Sequence, residues 1–406
     1  MAQTTTARTP SSAARRSTLL GAVFLMATSA IGPGFITQTT EFTIQLGAAF
    51  AFAIVVSILV DIAVQLNVWR VIGVSGMRAQ DLGNRVLPGV GYVMAALVVF
   101  GGLVFNVGNV AGTSLGLDAM LGLDAKIGGT VSAVIAIGIF LSKRAGVAMD
   151  RIVVVLGVVM IALTAFVAFS SAPPVGQALV QAVWPGEVDF LAITTLIGGT
   201  VGGYITYAGA HRLVDAGVTG PDRVVDVSRS SVVSLLVTGV MRLVLFLAVL
   251  GVVAGGVTLT SANPAAEAFQ HAAGEVGLRL FGMILWAASI TSVVGAAYTS
   301  VSFLVTFSER LARARNWLVV GFVALSAAVF LLLDQAPTTL LVLAGALNGL
   351  LLPVGFGVLM FVAARRRDLL GGYRYPWWLL IVGVIAWLLT LYLGANSLSG
   401  IAALWK

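Results

Sequence analysis

Long apolar stretches alternate with short polar connections along almost the whole chain. A helix needs about 20 predominantly apolar residues to cross a bilayer, and eleven stretches come close to this length or exceed it. The pattern therefore predicts an all-α integral membrane protein with eleven transmembrane helices. The predicted spans cover residues 18–46, 48–69, 90–117, 127–142, 152–171, 190–213, 230–256, 278–306, 317–333, 337–363 and 376–402.

Glycine interrupts two of these spans near the middle. The first span contains Gly32-Pro33-Gly34-Phe35, and the sixth contains two Gly-Gly pairs within residues 198–204. Because hydrocarbon offers no partners for backbone N–H and C=O groups, unwound backbone is tolerated only where it lines a cavity or contacts a solute. Breaks at corresponding places in two halves of a membrane protein are typical of a transporter's substrate site. The alternative is that the glycines only let helices pack closely.

Charged residues are concentrated in the connections, and their sign alternates. The segment before span one and every second connection after it are basic, whereas the connections between them carry mostly acids. Because basic connections stay in the cytoplasm, the alternation predicts a cytoplasmic N-terminus, an extracytoplasmic C-terminus and a location in the plasma membrane. The basic residues of the predicted cytoplasmic side are Arg8, Arg15, Arg16, Arg70, Arg78, Arg85, Lys143, Arg144, Arg151, Arg212, Arg223, Arg229, Arg310, Arg313, Arg315, Arg365, Arg366, Arg367 and Arg374.

Composition excludes several classes of protein. Hydrophobic residues make up 59% of the chain and charged residues only 10%, against roughly 25% charged in a soluble domain. The net charge of +7 follows the topology, so we expect no nucleic-acid partner. The chain has no cysteine, which excludes disulfides, thiolate metal sites and thiol catalysis, and it has no phosphate-binding Gly-Lys-Ser/Thr loop. We therefore expect neither an enzyme nor a bound cofactor.

The order of the spans suggests an internal repeat. Spans one to five and six to ten begin on opposite sides of the membrane because five is odd, and each set opens with a broken helix. This layout resembles the inverted five-plus-five repeat of the LeuT-type transporters. We expect a disordered cytoplasmic tail over residues 1–16 and a single transmembrane domain over 17–406. Within that domain we expect repeats over 17–171 and 189–363 and an eleventh helix over 376–402.

Residues at the two breaks resemble those of the NRAMP divalent-metal transporters, which are LeuT-fold proteins of eleven or twelve spans. The family's Asp-Pro-Gly-Asn signature falls without gaps on residues 32–35, and its span-ten glutamine falls near Gly345. The acidic pair of the family's proton route falls on Asn106 and Asn109, which are spaced i to i+3 on nearly one face of span three. The family's Ala-x-x-Met-Pro-His motif falls on Gly199, Gly202, Gly203 and Tyr204. The resemblance implies a secondary transporter that works by alternating access.

The residues at the matched positions differ from the family's in their chemistry. Gly32, Phe35 and Gly202 stand where the family has aspartate, asparagine and methionine. Hard divalent cations need oxygen ligands, preferably carboxylates, and desolvating a dication into an uncharged site costs tens of kcal/mol by Born reasoning. Backbone carbonyls alone do not offset that cost, so the sequence predicts no metal site with the family's ligands and no metal–proton symport by the family's route.

The substitutions instead favour a small organic solute. Glycines remove side-chain volume and aromatic and neutral polar residues replace charges, which predicts a wider pocket with aromatic walls and a few polar anchors; such walls also suit an organic cation. The predicted substrate-binding residues are Gly32, Gly34, Phe35, Gln38, Thr39, Asn106, Asn109, Gly199, Gly202, Gly203, Tyr204 and Tyr207. Two alternatives remain open: transport of a metal ion through backbone and substitute ligands, and a non-transporting membrane sensor or scaffold.

Ionisable residues inside spans are functional candidates by default. Asp61 lies near the middle of span two and Arg242 near the middle of span seven, so we expect a buried ion pair, with direct contact to the substrate as the alternative. Glu41, in the outer half of span one, either couples protons to transport or projects into the outer vestibule. His211, at the cytoplasmic end of span six, is interpreted as a cap or surface group.

The topology has a direct test, since the chain lacks native cysteines. Single cysteines introduced at Ser142 and Ala172 flank span five, so we expect membrane-impermeant thiol reagents to label them from opposite faces of the membrane. Labelling of both positions from the same side would contradict the eleven-span arrangement.

Overall fold

The computed structural model describes residues 30–333 and 335–405, and the side chains of residues 143–148, 150, 151, 153 and 154 are outside that description. The predicted tail over 1–16 and the first part of span one therefore lie outside the described residues. Within the described part the secondary structure is helical, with fifteen α-helices and two single 3-10 turns and no strand. Apolar sequences bounded by glycine, proline or polar caps account for most helix ends.

The first half of the chain contains seven of these helices. They are α1 (Pro33–Leu46), α2 (Phe50–Ser75), α3 (Ala79–Val86), α4 (Val90–Leu121), α5 (Ala125–Leu141), α6 (Lys143–Ser170) and α7 (Val175–Val183). The second half of the chain contains the other eight. They are α8 (Phe190–Val201), α9 (Ile205–Asp215), α10 (Val224–Ala254), α11 (Pro264–Leu304), α12 (Glu309–Arg313), α13 (Arg315–Leu332), α14 (Pro337–Arg365) and α15 (Trp377–Leu404).

The helices agree with the predicted spans. By length and composition, eight stretches of the described residues can cross a membrane, or nine when residues Val155–Ser170 and Val175–Val183, bent by 103°, count as one span. One of the eight, Pro33–Ser75, has 43 residues, about twice the length that one crossing needs. Gly47 (φ 53°) ends α1 there, so this stretch corresponds to two predicted spans. Helix α5 is a shorter apolar helix of 17 residues. The all-α architecture is thus confirmed, and each of the eleven predicted spans overlaps a described helix or helix pair.

Three short helices and one break were not predicted. Helices α3, α7 and α12 lie in connections that the hydropathy pattern treats as loops. Helix α11 begins at Pro264 rather than near residue 278, and it is interrupted at Gly274 (φ 63°, ψ −159°). The Asn263 side chain accepts a hydrogen bond from the Ala266 N–H and caps this helix. These segments are too short or too polar to be read as spans, so a length criterion overlooks them.

Both predicted helix breaks are present. Gly32 is extended (φ −103°, ψ −170°), and α1 begins directly after it with Pro33 at its first position, where a missing N–H costs nothing. Between α8 and α9, Gly202 is extended (φ −76°, ψ 168°) and Gly203 is left-handed (φ 54°). Glycine adopts that conformation without steric cost, which explains why the break falls on a glycine pair.

Glycines also let the broken helices approach their neighbours closely. A Cβ built on Gly198 of α8 would overlap the Gly345 carbonyl oxygen and the Gly349 backbone of α14. In the same way, Gly112 of α4 receives the Pro33 ring, and Gly116 lies against the Trp286 backbone of α11. Close packing, which the sequence left as an alternative, is therefore a role that several of these glycines fill.

Gly198→Ala tests this contact. We expect it to destabilise the folded protein by at least ~1–3 kcal/mol, because the new methyl group meets backbone atoms that cannot turn away. Gly138→Ala is the matched control, since a Cβ there has no atom of the described structure within 4 Å. The measurement is the melting midpoint of the two purified variants in detergent. Equal midpoints for both variants would show that α8 and α14 are less tightly packed.

Candidate functional site

Helices α1, α8 and α14 meet at the Gln38 side chain, just after the first break. Its Nε2 donates to the Leu341 carbonyl of α14 at 2.9 Å. Its Oε1 has no hydrogen-bond partner among the described residues. Cβ atoms built on Gly199 and Gly345 would overlap this amide. The volume that these two glycines leave is therefore filled by Gln38 in this structure. The expectation that Gly199 widens a pocket is corrected: a neutral amide takes up the space.

Asn348 of α14 plays the same part at the second break. It is fully buried, and its Nδ2 donates to the carbonyl oxygens of Gly101 (3.0 Å) and Ala344 (2.8 Å). Its Oδ1 lies where Cβ atoms on Gly101 or Gly203 would fall, and no described residue donates to it. Sequence analysis missed this residue. The available signal was a single amide in an otherwise apolar span, three residues after the matched Gly345.

The structure separates the two asparagines of span three. Asn109 lies beside the Tyr204 hydroxyl at the second break. Asn106 is buried and its Nδ2 donates to Ser326 Oγ of α13 at 3.1 Å, so it links spans three and nine. The Tyr204 ring packs edge-on against Phe105, with ring centroids 5.8 Å apart. Asn109 and Tyr204 therefore belong to the break, whereas Asn106 leads away from it.

A cavity of about 20 Å³ lies beside the second break, next to Gly203 and Tyr207. Tyr207 is buried and packs edge-on against Phe303, with centroids 5.5 Å apart. The other lining residues are Met94, Leu97, Val98, Leu351, Leu352 and Gly355. The cavity has room for about one water molecule, so it does not hold an organic solute in this conformation.

Arg242 is the residue that connects the two breaks. Its side chain is only 1% exposed, and its Cζ lies 4.6 Å from the centroid of the Phe35 ring at the first break. Its Nη1 donates to Thr200 Oγ1 at 3.0 Å, two residues before the second break. Its Nε and Nη2 have no hydrogen-bond partner in the described part of the chain. A buried cation therefore lies against both candidate segments.

Asp61 is equally buried, at 1% exposure, and interacts electrostatically with Arg242 and with the Thr200 hydroxyl. Its carboxylate and the guanidinium do not form an ion pair within 4.0 Å among the described residues. The predicted direct ion pair between spans two and seven is thus corrected. Thr200, from span six, lies close to both charges, and the two groups balance each other without direct contact.

The remaining candidates are also in place. Thr39 Oγ1 donates to the Phe35 carbonyl at 2.7 Å, so this hydroxyl satisfies backbone within α1. Gly32 and Gly34 are buried at the start of that helix, and Glu41 is half-buried farther along it. His211 is buried, and its Nε2 accepts from the Ala79 N–H at 3.2 Å, which caps α3. The interpretation of His211 as a cap agrees with this contact.

Comparison with known proteins identifies the family. Residues 23–400 match the family model of the natural resistance-associated macrophage protein-like (Nramp) proteins. The chain belongs to the Nramp family. Two relatives are each 52% identical to this Nramp protein. One is the uncharacterized membrane protein YcsG of Bacillus subtilis, aligned over 94% of both chains. The other is an uncharacterized membrane protein of Haemophilus influenzae, aligned over 91% of this chain and 92% of the relative.

Solved structures share its fold. A crystal structure of the Eremococcus coleocola manganese transporter superposes with a TM-score of 0.75 at 16% identity, over 97% of this chain and 89% of the other. MhsT in complex with L-phenylalanine superposes with a TM-score of 0.64 at 14% identity, over 95% and 98%. These likenesses, with the family match, confirm the LeuT-type fold with broken helices one and six. The Nramp protein is a multi-pass membrane transporter and not an enzyme.

The Nramp protein lacks a cluster of metal-binding side chains in its described part: no three His, Cys, Asp or Glu residues come together there. The groups near the breaks are amides, hydroxyls, aromatic rings and one guanidinium, with the single carboxylate of Asp61 close to Thr200. This set differs from the carboxylate-rich sites that hard cations prefer.

The burial of two opposite charges, Asp61 and Arg242, leads to a prediction about folding. Removing one partner of a buried pair costs about 3–5 kcal/mol, because the other charge is left uncompensated. We therefore expect Asp61→Asn and Arg242→Gln each to lower the folded yield more than the double variant does. Fluorescence-detected size-exclusion chromatography of the solubilised variants measures that yield. Strictly additive losses would show that the two charges do not compensate each other.

Proposed function

We propose that this Nramp protein moves a small organic solute by alternating access, and that the solute binds at the two helix breaks. The N-terminus would face the cytoplasm and the C-terminus the outside of a plasma membrane, as the basic connections suggest. The chemistry of the break region supports the proposal. Neutral hydrogen-bonding groups on Gln38, Asn348 and Asn109 lie near the same two breaks as the aromatic residues Phe35 and Tyr204, a combination typical of pockets for organic ligands.

The observation that carries the proposal is the guanidinium over Phe35. Phe35 matches a metal-ligating asparagine of the family, and Arg242 covers its ring at 4.6 Å. Charges of +1 and +2 about 5 Å apart repel each other by roughly 7 kcal/mol at an effective dielectric constant of about 20. Asp61 offsets part of this repulsion, but it is the guanidinium and not the carboxylate that lies over the Phe35 ring. A metal ion at the family's position therefore meets a cation where it needs a ligand, and an organic cation is disfavoured for the same reason.

Metal-ion transport is the second candidate, and two observations favour it. The first is membership of the Nramp family. The second is the pair of amide oxygens, Gln38 Oε1 and Asn348 Oδ1, that are buried near the breaks without a hydrogen-bond donor among the described residues. Amide and backbone carbonyl oxygens are ligands that hard cations accept. In this candidate function they would replace the missing carboxylate.

Calorimetric titration of the purified protein with Mn²⁺ separates the two candidates. We expect no saturable site below the millimolar range, because Gly32, Phe35 and Gly202 supply no side-chain ligand. A stoichiometric micromolar site that Gln38→Ala and Asn348→Ala each weaken would establish metal binding at the breaks and contradict the organic-solute proposal.

A thermal-shift panel of small amines, amino acids, sugars and nucleobases complements this titration by testing for binding of an organic solute. A solute that binds only the folded state raises its melting midpoint by mass action. We expect Tyr204→Phe to weaken the response about five- to tenfold, as loss of one hydrogen bond does. Tyr392→Phe is the control, because that tyrosine is 56% exposed on the outer face of α15.

A further inference from the structure

We propose that Arg242 is an anion-binding residue, and that the transported solute carries a carboxylate held by the Nε–Nη2 edge of its guanidinium. This inference rests on the proposed function and narrows its substrate class. It starts from an unsatisfied group: the described structure leaves two N–H-bearing atoms of one buried cation without any acceptor. Buried polar groups in native proteins nearly always have partners, and an unmet charged donor is costlier than a neutral one.

The two unpartnered atoms are the ones that a carboxylate needs. Nε–H and one N–H of Nη2 point the same way along one edge of the planar guanidinium, while Nη1 lies on the opposite side and donates to Thr200. A carboxylate accepts two parallel hydrogen bonds from such an edge. A bare metal ion has no acceptor for it. The free edge therefore specifies both the sign and the shape of the missing group.

The guanidinium is held in position before any ligand binds. Its Cζ lies over the Phe35 ring, 4.6 Å from the centroid, and its Nη1 is anchored on Thr200, so the guanidinium is held by the two elements that flank the breaks. A preorganised guanidinium loses little freedom when it binds. The start of α1 at Pro33 adds partial positive charge close to Phe35. Both features favour an anion at this place over a neutral group.

Asp61 does not take the place of the ligand in this structure. Its carboxylate is outside ion-pair distance of the guanidinium, and its Oδ1 is buried without a donor among the described residues. It balances the charge of Arg242 and leaves the Nε–Nη2 edge open. The competing explanation is that Asp61 closes onto this edge in another conformation, so that the two residues form a purely structural pair. The two explanations differ in their response to added carboxylates.

The site is closed to solvent here, as expected for one stage of an alternating-access cycle. Arg242, Phe35 and Thr200 are all at most 2% exposed. A bound solute would place its carboxylate on the guanidinium, and its apolar or polar remainder would lie among Phe35, Tyr204 and the two amides. The site therefore suits a small monocarboxylate better than a bare inorganic anion, which would leave the aromatic surface unused.

Acetate and benzoate serve as probes because they carry the carboxylate without depending on the identity of the natural solute. The melting midpoint of the purified full-length protein is measured with each acid, with acetamide and benzamide, and with sodium chloride at equal ionic strength. We expect the acids to raise the midpoint in a saturable manner, and the amides and chloride to leave it unchanged. If acids act no differently from chloride in the native protein, the proposal is wrong.

Variants of Arg242 give the second readout. We expect R242Q to weaken the apparent affinity for benzoate at least tenfold. R242K keeps the charge but cannot donate two parallel hydrogen bonds, so we expect its affinity to lie between those of the native protein and R242Q. The double variant D61N/R242Q leaves no uncompensated charge, so it replaces R242Q if the single variant does not fold. An unchanged response to benzoate in either variant would overturn the proposal. An equal rise of the midpoint with acids and amides would contradict the carboxylate site but agree with transport of an organic solute. A rise with Mn²⁺ alone would contradict the proposed function itself.

Discussion

The structure depends on one constraint, which is that backbone N–H and C=O groups inside a bilayer must find partners within the protein. Intact spans meet it through their own helical hydrogen bonds, and the two breaks cannot. At the breaks, short turns pair part of the backbone, as where the Ile205 N–H donates to the Gly202 carbonyl at 3.1 Å. Two buried side-chain amides fill space beside the breaks: Gln38 reaches across to the Leu341 carbonyl of α14, and Asn348 to the Gly101 carbonyl of α4. Glycines at the facing positions make room for these amides. The amides and the facing glycines are thus complementary parts of the packing around the breaks.

How much of the structure the sequence predicts depends on whether a feature is set by neighbouring residues or by contacts between distant spans. Hydropathy and glycine placement are local, so the spans and both breaks were predicted, and the left-handed Gly203 explains why a glycine pair marks the second break. Side-chain contacts between distant spans are not local. The spacing of Asn106 and Asn109 puts them on nearly one face of a helix, yet one reaches α13 and the other Tyr204. A difference of three residues along a helix is also a rise of about 4.5 Å, which is enough to change the neighbouring helix.

The same limit explains the errors about glycine and charge. A glycine in a sequence signals missing volume, but it does not say whether a solute or a neighbouring side chain occupies that volume; here Gln38 occupies it beside Gly199. Depth in the membrane is readable from position within a span, so Asp61 and Arg242 were correctly placed at the same level. The intervening hydroxyl of Thr200 was not predictable, because span six meets spans two and seven only in the assembled bundle.

Charge balance then connects the break to transport. In the family's signature the broken first helix carries an aspartate, whereas here the corresponding region carries Gly32 and a guanidinium contributed from span seven. A positive group beside this break favours an anionic solute, as proposed above, while Asp61 balances its charge in this structure, and little solvent screening acts at this depth. The neutral asparagines of span three accord with the proposed anion site, because acids along the path would repel an anion. A LeuT-type fold, in which half-helix ends already direct partial charges to the site, can serve either sign of solute; the side chains at the breaks decide which one.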